Sequence, residues 1–311
     1  MNAVQGLGLE SSTARYGPRP MSAHRRTFGH EGYRLVYDEY GSGPQHLVLL
    51  PGLLLGRKMH GPLAQALAER GNHVYVLDFL GHGDSDRPRD MTRYSMPIFG
   101  DQVVGLLDHL GVEEVVLGGT SLGANVALDV MTKVPERLRG AVVEMPVLDN
   151  ALLGCAIAFT PLLVYLTFGA PVARVVAAGA KRIPRGLHNL LDSGLDWVSQ
   201  DPGPSSAVLQ GLFFGRIAPP RSERALLETR TLVIGHPRDP VHPFSDADAL
   251  ARELRNARLV DANSILELRL TPERLTNEIA RFIDDCWRPA AHERRRRTGT
   301  AARNNRRSAS A

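Results

Sequence analysis

The chain has 311 residues, 43% of them hydrophobic, 23% charged and only two of them cysteine. This supplies enough apolar material for one large core and excludes a small disulfide-stabilised scaffold. We therefore expect free thiols at Cys155 and Cys286 and a cytoplasmic protein. The net charge of +4 arises from residues 292–311, which carry seven Arg and one Glu, so the rest of the chain has a charge of −2.

Both ends are predicted to lie outside the globular part. Residues 1–27 show no charged start followed by an apolar run, so we expect a flexible lead-in without a signal peptide, with Met21 as an alternative start. Residues 289–311 are predicted to form a basic disordered tail. No aromatic residues are interleaved there to stack on bases, which argues against specific nucleic-acid binding and leaves weak contact with an anionic surface.

Strand-like and helix-like segments alternate over most of residues 28–288. Alternation of this kind is typical of βαβ units in a mostly parallel sheet with helices on both faces. The predicted strands are YRLVYDEY, HLVLLPG, HVYVLDF, EEVVLGGT, LRGAVVEMP, TRTLVIGHP and ARLVDAN. The predicted helices are GPLAQALAERG, IFGDQVVGLLDHLG, LGANVALDVMTKV, FSDADALARELRN and TPERLTNEIARFIDDCW.

The alternation stops between residues 148 and 220, where the pattern is helical with interruptions. The sequence therefore predicts one α/β core, residues 28–147 and 221–288, with residues 148–220 as a helical cap. Within the cap, residues 151–173 contain no charge and are long enough to span a bilayer. Two glycines and two prolines interrupt this segment. We expect a buried or lid-type segment rather than a membrane span or a surface-bound helix.

A candidate nucleophile follows the strand-like run EEVVLGGT. Residues 119–123 read GTSLG and precede a helix. A sharp strand-to-helix turn would hold Ser121 in strained backbone at the edge of the sheet, and it requires small residues two positions to either side. The N–H groups at the helix N-terminus would suit a developing oxyanion. An ordinary turn between a strand and a helix is the alternative.

With this motif the chain resembles the α/β-hydrolase family of serine esterases and lipases, from about residue 28 to 287. LLPGLLLG resembles the family's oxyanion loop, which implies that the backbone N–H groups of Leu53 and Leu122 form the oxyanion hole. LDFLGHGDSDRP resembles the family's glycine-rich loop, in which His82 would be structural. The resemblance implies no cofactor and no metal. The apolar cap favours a small apolar acyl or ring-bearing substrate or ligand.

The segment TLVIGHPRDPVHP resembles the strand and acid loop of the family. Asp239 falls where the carboxylate of the catalytic triad belongs, and it would orient an imidazole and stabilise its positive form. An Asp before Pro240 is also a common turn residue. Glu144, at the end of LRGAVVEMP, is the second candidate acid, because some members of the family carry theirs after that strand.

The family's histidine is absent from its usual position. The last strand is commonly followed by Gly-His, but here Asn263 and Ser264 follow, and residues 243–291 contain no histidine. A serine hydroxyl is a poor nucleophile at neutral pH without an adjacent base, and Ser264 cannot replace an imidazole. Either another histidine acts as the base or hydrolysis is close to nil.

His242 is the best substitute, because it lies three residues after Asp239 in a loop that the family places at the pocket mouth. His236 and His60 are less favoured as the base. An exposed loop histidine remains the alternative for His242. A metal site formed by His236, Asp239 and His242 matches no common ligand spacing.

Three functional hypotheses remain open on the sequence. The first is a serine hydrolase that acts on a carboxylic ester or related acyl bond with a displaced base. The second is a catalytically impaired relative that binds a small apolar ligand or a protein partner. The third is a membrane- or anion-associated protein that uses the apolar cap and the basic tail. The substrate and the oligomeric state are not determined by the sequence.

Overall fold

The computed structural model describes residues 23–186 and 189–288. An eight-stranded sheet in the order β1-β2-β4-β3-β5-β6-β7-β8 runs through the centre of this part of the chain. Strand β2 pairs antiparallel with both β1 and β4, and all other neighbouring strands are parallel. The mostly parallel sheet is therefore confirmed. The strands are β1 (His24–His30), β2 (Tyr33–Tyr40), β3 (Gln45–Leu50), β4 (Asn72–Asp78), β5 (Val115–Thr120), β6 (Leu138–Glu144), β7 (Thr231–Gly235) and β8 (Ala257–Asp261).

Helices cover both faces of this sheet. They are α1 (Gly61–Ala68), α2 (Met96–Leu110), α3 (Leu122–Lys133), α4 (Leu152–Phe168), α5 (Ala170–Ala180), α6 (Asn189–Val198), α7 (Pro202–Phe213), α8 (Arg221–Arg224), α9 (Phe244–Glu253), α10 (Glu267–Leu270) and α11 (Glu273–Trp287). Helices α2, α3 and α9 contribute side chains to the core on one face, and α1 and α11 do so on the other.

The central strands are apolar at successive positions because both of their faces are buried. In β3, Leu47 and Leu49 belong to the core cluster on the side of α1 and α11. Val48 and Leu50 belong to the cluster on the side of α2 and α3. Successive side chains of a strand point to opposite faces, so a strand covered on both sides requires a continuous apolar run.

The first strand begins earlier than the sequence predicts. The flexible lead-in was expected to extend to residue 27, but β1 starts at His24 and pairs with β2 from His24 opposite Glu39 to His30 opposite Tyr33. Only Phe28 of its seven residues is buried. An edge strand held mainly by backbone hydrogen bonds shows little apolar alternation, which explains the error. The remaining lead-in, residues 1–22, and the basic tail, residues 289–311, lie outside the described residues.

Helices α4 to α7 follow β6 and occupy most of the region predicted as a cap. The apolar segment 151–173 forms α4, ends at Gly169 and continues into α5. No residue of α4 is buried, although Phe159, Leu162 and Leu166 on one side of the helix pack against the core. The alternative of a buried segment is therefore wrong, and a lid-type segment stays a prediction. Residues 149–168 are long and apolar enough to cross a membrane by length and composition alone.

Candidate active site

Ser121 lies in the tight turn between β5 and α3. Its backbone has φ 54° and ψ −112°, a conformation that costs a non-glycine residue on the order of 1–3 kcal/mol. A Cβ on Gly119 would come within 2.2 Å of the backbone of Gly123, and a Cβ on Gly123 within 2.2 Å of the backbone oxygen of Leu50. Both glycines of GTSLG are therefore required by the close approach of β5, α3 and β3, and this packing holds Ser121 in its strained position.

His242 lies between Ser121 and Asp239. Its Nε2 is 2.9 Å from the Oγ of Ser121, and its Nδ1 is 2.9 Å from Oδ2 of Asp239. The structure thus brings together the three side chains that the sequence suggested as nucleophile, base and acid. With the proton on Nδ1, the imidazole donates to the carboxylate and can accept the serine proton at Nε2.

A short loop presents the acid and the base from positions only three residues apart. Oδ1 of Asp239 accepts the backbone N–H groups of Val241, at 2.8 Å, and His242, at 2.9 Å. This turn folds the loop around the carboxylate and leaves Oδ2 for the imidazole. Burial by itself would raise the pKa of Asp239, but its hydrogen bonds to His242 and Val241 outweigh burial and hold the pKa below its usual value. The carboxylate is therefore ionised at neutral pH.

His60 and His82 are buried away from the serine. The ring of His60 donates from Nε2 to the backbone oxygen of Leu50 at 3.0 Å, and His82 donates from Nδ1 to that of Leu80 at 3.0 Å. Burial lowers the pKa of each histidine to about 4, so both are neutral at physiological pH. Their contacts suit a structural role, as expected for His82, and do not support His60 as the base.

Glu144 and His236 form a second pair behind the nucleophile turn. Oε1 of Glu144 is 3.2 Å from Nε2 of His236, while Oε2 accepts from Arg269 at 2.9 Å and from the hydroxyl of Thr120. Nδ1 of His236 donates to the backbone oxygen of Ser264 at 2.9 Å. Both ring nitrogens of His236 are thus engaged away from Ser121. Glu144 contacts His236 rather than His242, so neither alternative acid nor alternative base reaches the site.

Charge and burial oppose each other in this second pair. Burial would raise the pKa of Glu144, but Arg269 and His236 lower it far below its usual value. Burial would lower the pKa of His236, but the adjacent Glu144 carboxylate raises it more, so the pKa lies above its usual value. This cluster was not predicted from the sequence. The sequence shows only that two strand-like runs end at Glu144 and just before His236, and the structure shows that these strands, β6 and β7, are adjacent and parallel.

The loop after β8 holds no base and is fixed by other contacts. The backbone N–H of Asn263 donates to the carboxylate of Glu267, which is also bound by Arg274 at 2.7 Å. Ser264 contributes its backbone oxygen to His236. The suggested metal trio does not converge, because His236 faces Glu144 while His242 faces Ser121. The described residues contain no group of three or more His, Cys, Asp or Glu side chains that could hold a metal ion.

Leu53 and Leu122 lie beside Ser121, where the oxyanion hole was predicted. Leu122 is the first residue of α3, so its N–H has no partner within the helix. Among the described residues, neither its N–H nor that of Leu53 has a hydrogen-bond acceptor. Two free donors next to a candidate nucleophile can stabilise an oxygen that becomes negative.

Two cavities meet at Ser121. The first, of about 250 Å³, lies beside α4 and α7, and its lining includes Leu122, Val147, Cys155, Leu209, Leu212 and Ile217. The second, of about 470 Å³, lies on the His242 side, and its lining includes Leu55, Met59, Met145, Ser193, Leu266 and Arg269. Leu53, Ser121 and Phe159 line both cavities. A substrate could therefore place one part on each side of the serine.

Both cysteines are free, as the sequence predicted. Burial raises the pKa of Cys155, in the wall of the first cavity, to about 11, and it also raises that of Cys286 to about 11. Neither thiol is ionised at neutral pH, so neither competes with Ser121 as a nucleophile.

Comparison with known proteins agrees with the fold. Residues 45–154 match the family model of the alpha/beta hydrolase fold. The chain is 32% identical over 108 residues to bifunctional epoxide hydrolase 2 of Mus musculus, covering 35% of this chain and 19% of that protein. It is 26% identical over 251 residues to the AB hydrolase superfamily protein YisY of Bacillus subtilis, covering 75% of this chain and 89% of that protein. The match to the mouse protein thus spans about a fifth of that relative's length.

Solved structures show the same architecture. The enol-lactonase from Burkholderia xenovorans aligns with a TM-score of 0.69 at 20% identity, covering 83% of this chain and 100% of that one. A thermophilic esterase from Thermogutta terrifontis aligns with a TM-score of 0.64 at 20% identity, covering 85% of this chain and 99% of that one. The chain has the α/β-hydrolase fold, and the proteins that it resembles include hydrolases.

Proposed function

We propose that this protein is a serine hydrolase that cleaves a carboxylic ester or a related acyl bond in an apolar substrate. The observation that carries the proposal is the position of His242, whose Nε2 lies 2.9 Å from Oγ of Ser121 and whose Nδ1 lies 2.9 Å from Oδ2 of Asp239. In this proposal the base has moved from the loop after β8 to the loop after β7. A single loop then supplies both the acid and the base.

The reaction begins when Nε2 of His242 takes the hydroxyl proton of Ser121 and the Oγ attacks the carbonyl carbon of the substrate. The carbonyl oxygen becomes negative and is stabilised by the N–H groups of Leu53 and Leu122. His242 then gives its proton to the leaving oxygen as the acyl bond breaks. A water molecule, deprotonated by His242, attacks the acyl-serine, releases the acid and restores the free hydroxyl.

The cavities support an apolar acyl group on the cap side of the serine. The first cavity is lined mainly by aliphatic and aromatic side chains. Its polar lining residue Asn125 donates to the backbone oxygens of Val147 and Ile217 at 2.7 and 2.8 Å, so its amide N–H groups are engaged. A pocket with little free hydrogen-bonding capacity favours an apolar group. The second cavity would then hold the leaving group.

The relatives are consistent with this chemistry. Two structural relatives are named an enol-lactonase and an esterase. We also propose a cytoplasmic location on the basis of the two free cysteines.

A non-hydrolytic relative that binds a small apolar ligand or a protein partner is the second candidate. It is favoured by one observation, namely that Asn263 and Ser264 stand where the family commonly has Gly-His. The cavities beside Ser121 would then serve as a binding site without turnover.

Labelling with a fluorophosphonate probe distinguishes the two candidates. The wild-type protein should be labelled, and Ser121→Ala should remove the label. His242→Ala should slow labelling by at least about a hundredfold. His24→Gln, an exposed histidine on β1, is the matched control and should label normally. A folded wild-type protein that does not label would reject the hydrolase, and a search for a bound ligand would follow.

A further inference from the structure

Helices α4 and α5 carry a row of exposed apolar side chains, here named the outer cap face. On α4 the members of this face recur at intervals of four and seven residues, which places them on one side of the helix. The most exposed members are Phe168, at 81%, and Val175, at 73%. The outer cap face consists of Leu153, Ile157, Val164, Phe168, Val172, Val175 and Val176.

This face differs from the scattered apolar residues of an ordinary soluble surface. Its side chains are neighbours along α4, and α4 contacts α5 directly. A continuous exposed apolar surface commonly marks a contact with a partner or a membrane. The opposite side of α4 is used for folding, because Phe159, Leu162 and Leu166 pack against the core.

The charged residues in the segment that carries the face, residues 150–191, are all positive, and Asp201 is the acidic residue that interacts electrostatically with Arg174. Between Asp149 and Asp192 the sequence has no acidic residue and four basic ones. Arg174, Lys181 and Arg182 are exposed, and none of the three forms a salt bridge within the described residues. An apolar helix surface bordered by unpaired cations is the arrangement that binds at an anionic lipid interface.

We propose that the outer cap face docks on the surface of an anionic lipid bilayer. A second copy of this chain is a poorer occupant, because a two-fold contact would bring the same cations of both copies together. A membrane span is also disfavoured, since insertion of α4 would strip Phe159, Leu162 and Leu166 from the core. The helices therefore lie along the interface rather than across it.

The docked orientation brings the bilayer close to the candidate active site. Leu152 and Phe213 line the cavity beside Ser121 and are also exposed, at 46% and 44%, so this cavity reaches the surface at the cap. If the proposed hydrolase activity holds, an apolar acyl substrate could enter from the lipid. The docking itself does not depend on that activity.

Vesicle flotation of the full chain tests the docking. Vesicles of phosphatidylcholine alone are compared with vesicles containing equal parts of phosphatidylcholine and phosphatidylglycerol. The protein should float with the anionic vesicles at least about tenfold better, because each cation near an anionic surface contributes roughly fivefold in affinity. Binding should weaken as salt is added.

Matched variants identify the surface responsible. Phe168→Glu and Val175→Glu should each reduce binding to anionic vesicles, and together they should reduce it at least tenfold. Leu226→Glu is the control, because Leu226 is 67% exposed but lies near α8, outside the cap face. The triple variant R174E, K181E and R182E should reduce binding at least about a hundredfold. Circular dichroism confirms that each variant is folded.

Four results would overturn the proposal. The first is a wild-type protein that floats with neither vesicle, and the second is a Leu226→Glu variant that loses as much binding as Phe168→Glu. The third is loss of binding on deletion of residues 292–311 while the double cap variant retains it, which would assign binding to the basic tail. The fourth is a dimer in sedimentation that Phe168→Glu dissociates, without vesicle binding, which would assign the face to a second copy.

Discussion

Two histidines only six positions apart, His236 and His242, each pair with a carboxylate, and the two pairs differ in burial and in what they contact. His242 pairs with Asp239 and reaches Ser121, and its side chain is 15% exposed. His236 pairs with Glu144, and its side chain is fully buried. Both histidines follow β7 and both have a carboxylate within 3.2 Å. A histidine beside an acid is therefore not in itself a sign of a catalytic base.

The difference lies in what the second ring nitrogen contacts. His236 donates from Nδ1 to the backbone oxygen of Ser264 and directs Nε2 at Glu144, so no lone pair faces a substrate. His242 directs Nδ1 at Asp239 and leaves Nε2 as the acceptor for Ser121. General base catalysis requires a free lone pair within hydrogen-bond reach of the proton to be removed. Only the second arrangement provides one.

The largest expected effect is on turnover when the His242–Asp239 pair loses its histidine. His242→Ala should lower kcat by about four to six powers of ten, because the serine then has no base. The measurement is the hydrolysis of p-nitrophenyl acyl esters, with His24→Gln as the control. A loss of less than about tenfold, beside an inactive Ser121→Ala, would show that His242 is not the base.

Replacing Asp239, the proposed acid of the same pair, should lower kcat somewhat less than His242→Ala does. Asp239→Asn removes the charge that stabilises the imidazolium and disturbs the turn formed by Val241 and His242. We expect kcat to fall by about four powers of ten, with a much smaller change in KM. Activity close to wild type would contradict the role of Asp239, provided the pH profile was also unchanged.

A change in the buried Glu144–His236 pair should lower the stability of the protein and leave turnover nearly unchanged. Glu144→Gln leaves the Arg269 guanidinium and His236 without their carboxylate, so we expect a loss of about 3–5 kcal/mol in the free energy of unfolding. Urea denaturation measures this loss. The part of the protein that remains folded should keep its turnover within about tenfold. A stable but inactive variant would mean that Glu144 takes part in the reaction.

Some features of this molecule are predictable from sequence because their causes are local. The central strands have two buried faces, so they appear in the sequence as apolar runs. The turn at GTSLG is predictable because packing requires its two glycines. The exposure of α4 was not predictable, since an apolar segment looks the same whether it faces the core or the solvent. The edge strand β1 has only Phe28 buried and gave no pattern.

The candidate site was predictable in its members but not in its geometry. The sequence names Asp239 and His242 as candidate acid and base, but whether the imidazole reaches Ser121 depends on the turn in which Oδ1 of Asp239 accepts two backbone N–H groups. The cluster of Glu144, His236 and Arg269 draws on residues more than 30 positions apart in the chain. Only the folded structure shows which histidine each carboxylate meets.

The smallest expected effect is a difference in pH dependence between wild type and Glu144→Gln. The pKa of His236 is raised in the folded state. The contribution of this histidine to the free energy of unfolding is therefore complete below its unfolded pKa of about 6.5 and is lost as the pH rises through the folded pKa. The pKa of Glu144 is lowered, so its contribution is present above about 4.3 and is lost as the pH falls towards the folded pKa.

The stability gap between wild type and Glu144→Gln should therefore be widest between about pH 5 and 6.5 and narrower at pH 9. Urea unfolding of both proteins across this range measures the gap. An Asp239→Asn protein supplies the comparison, because its histidine is partly exposed and its pair should contribute less to stability. If the gap for Glu144→Gln did not change with pH, the raised pKa of His236 would be wrong, and the distinction between the buried pair and the proposed catalytic pair would rest on geometry alone.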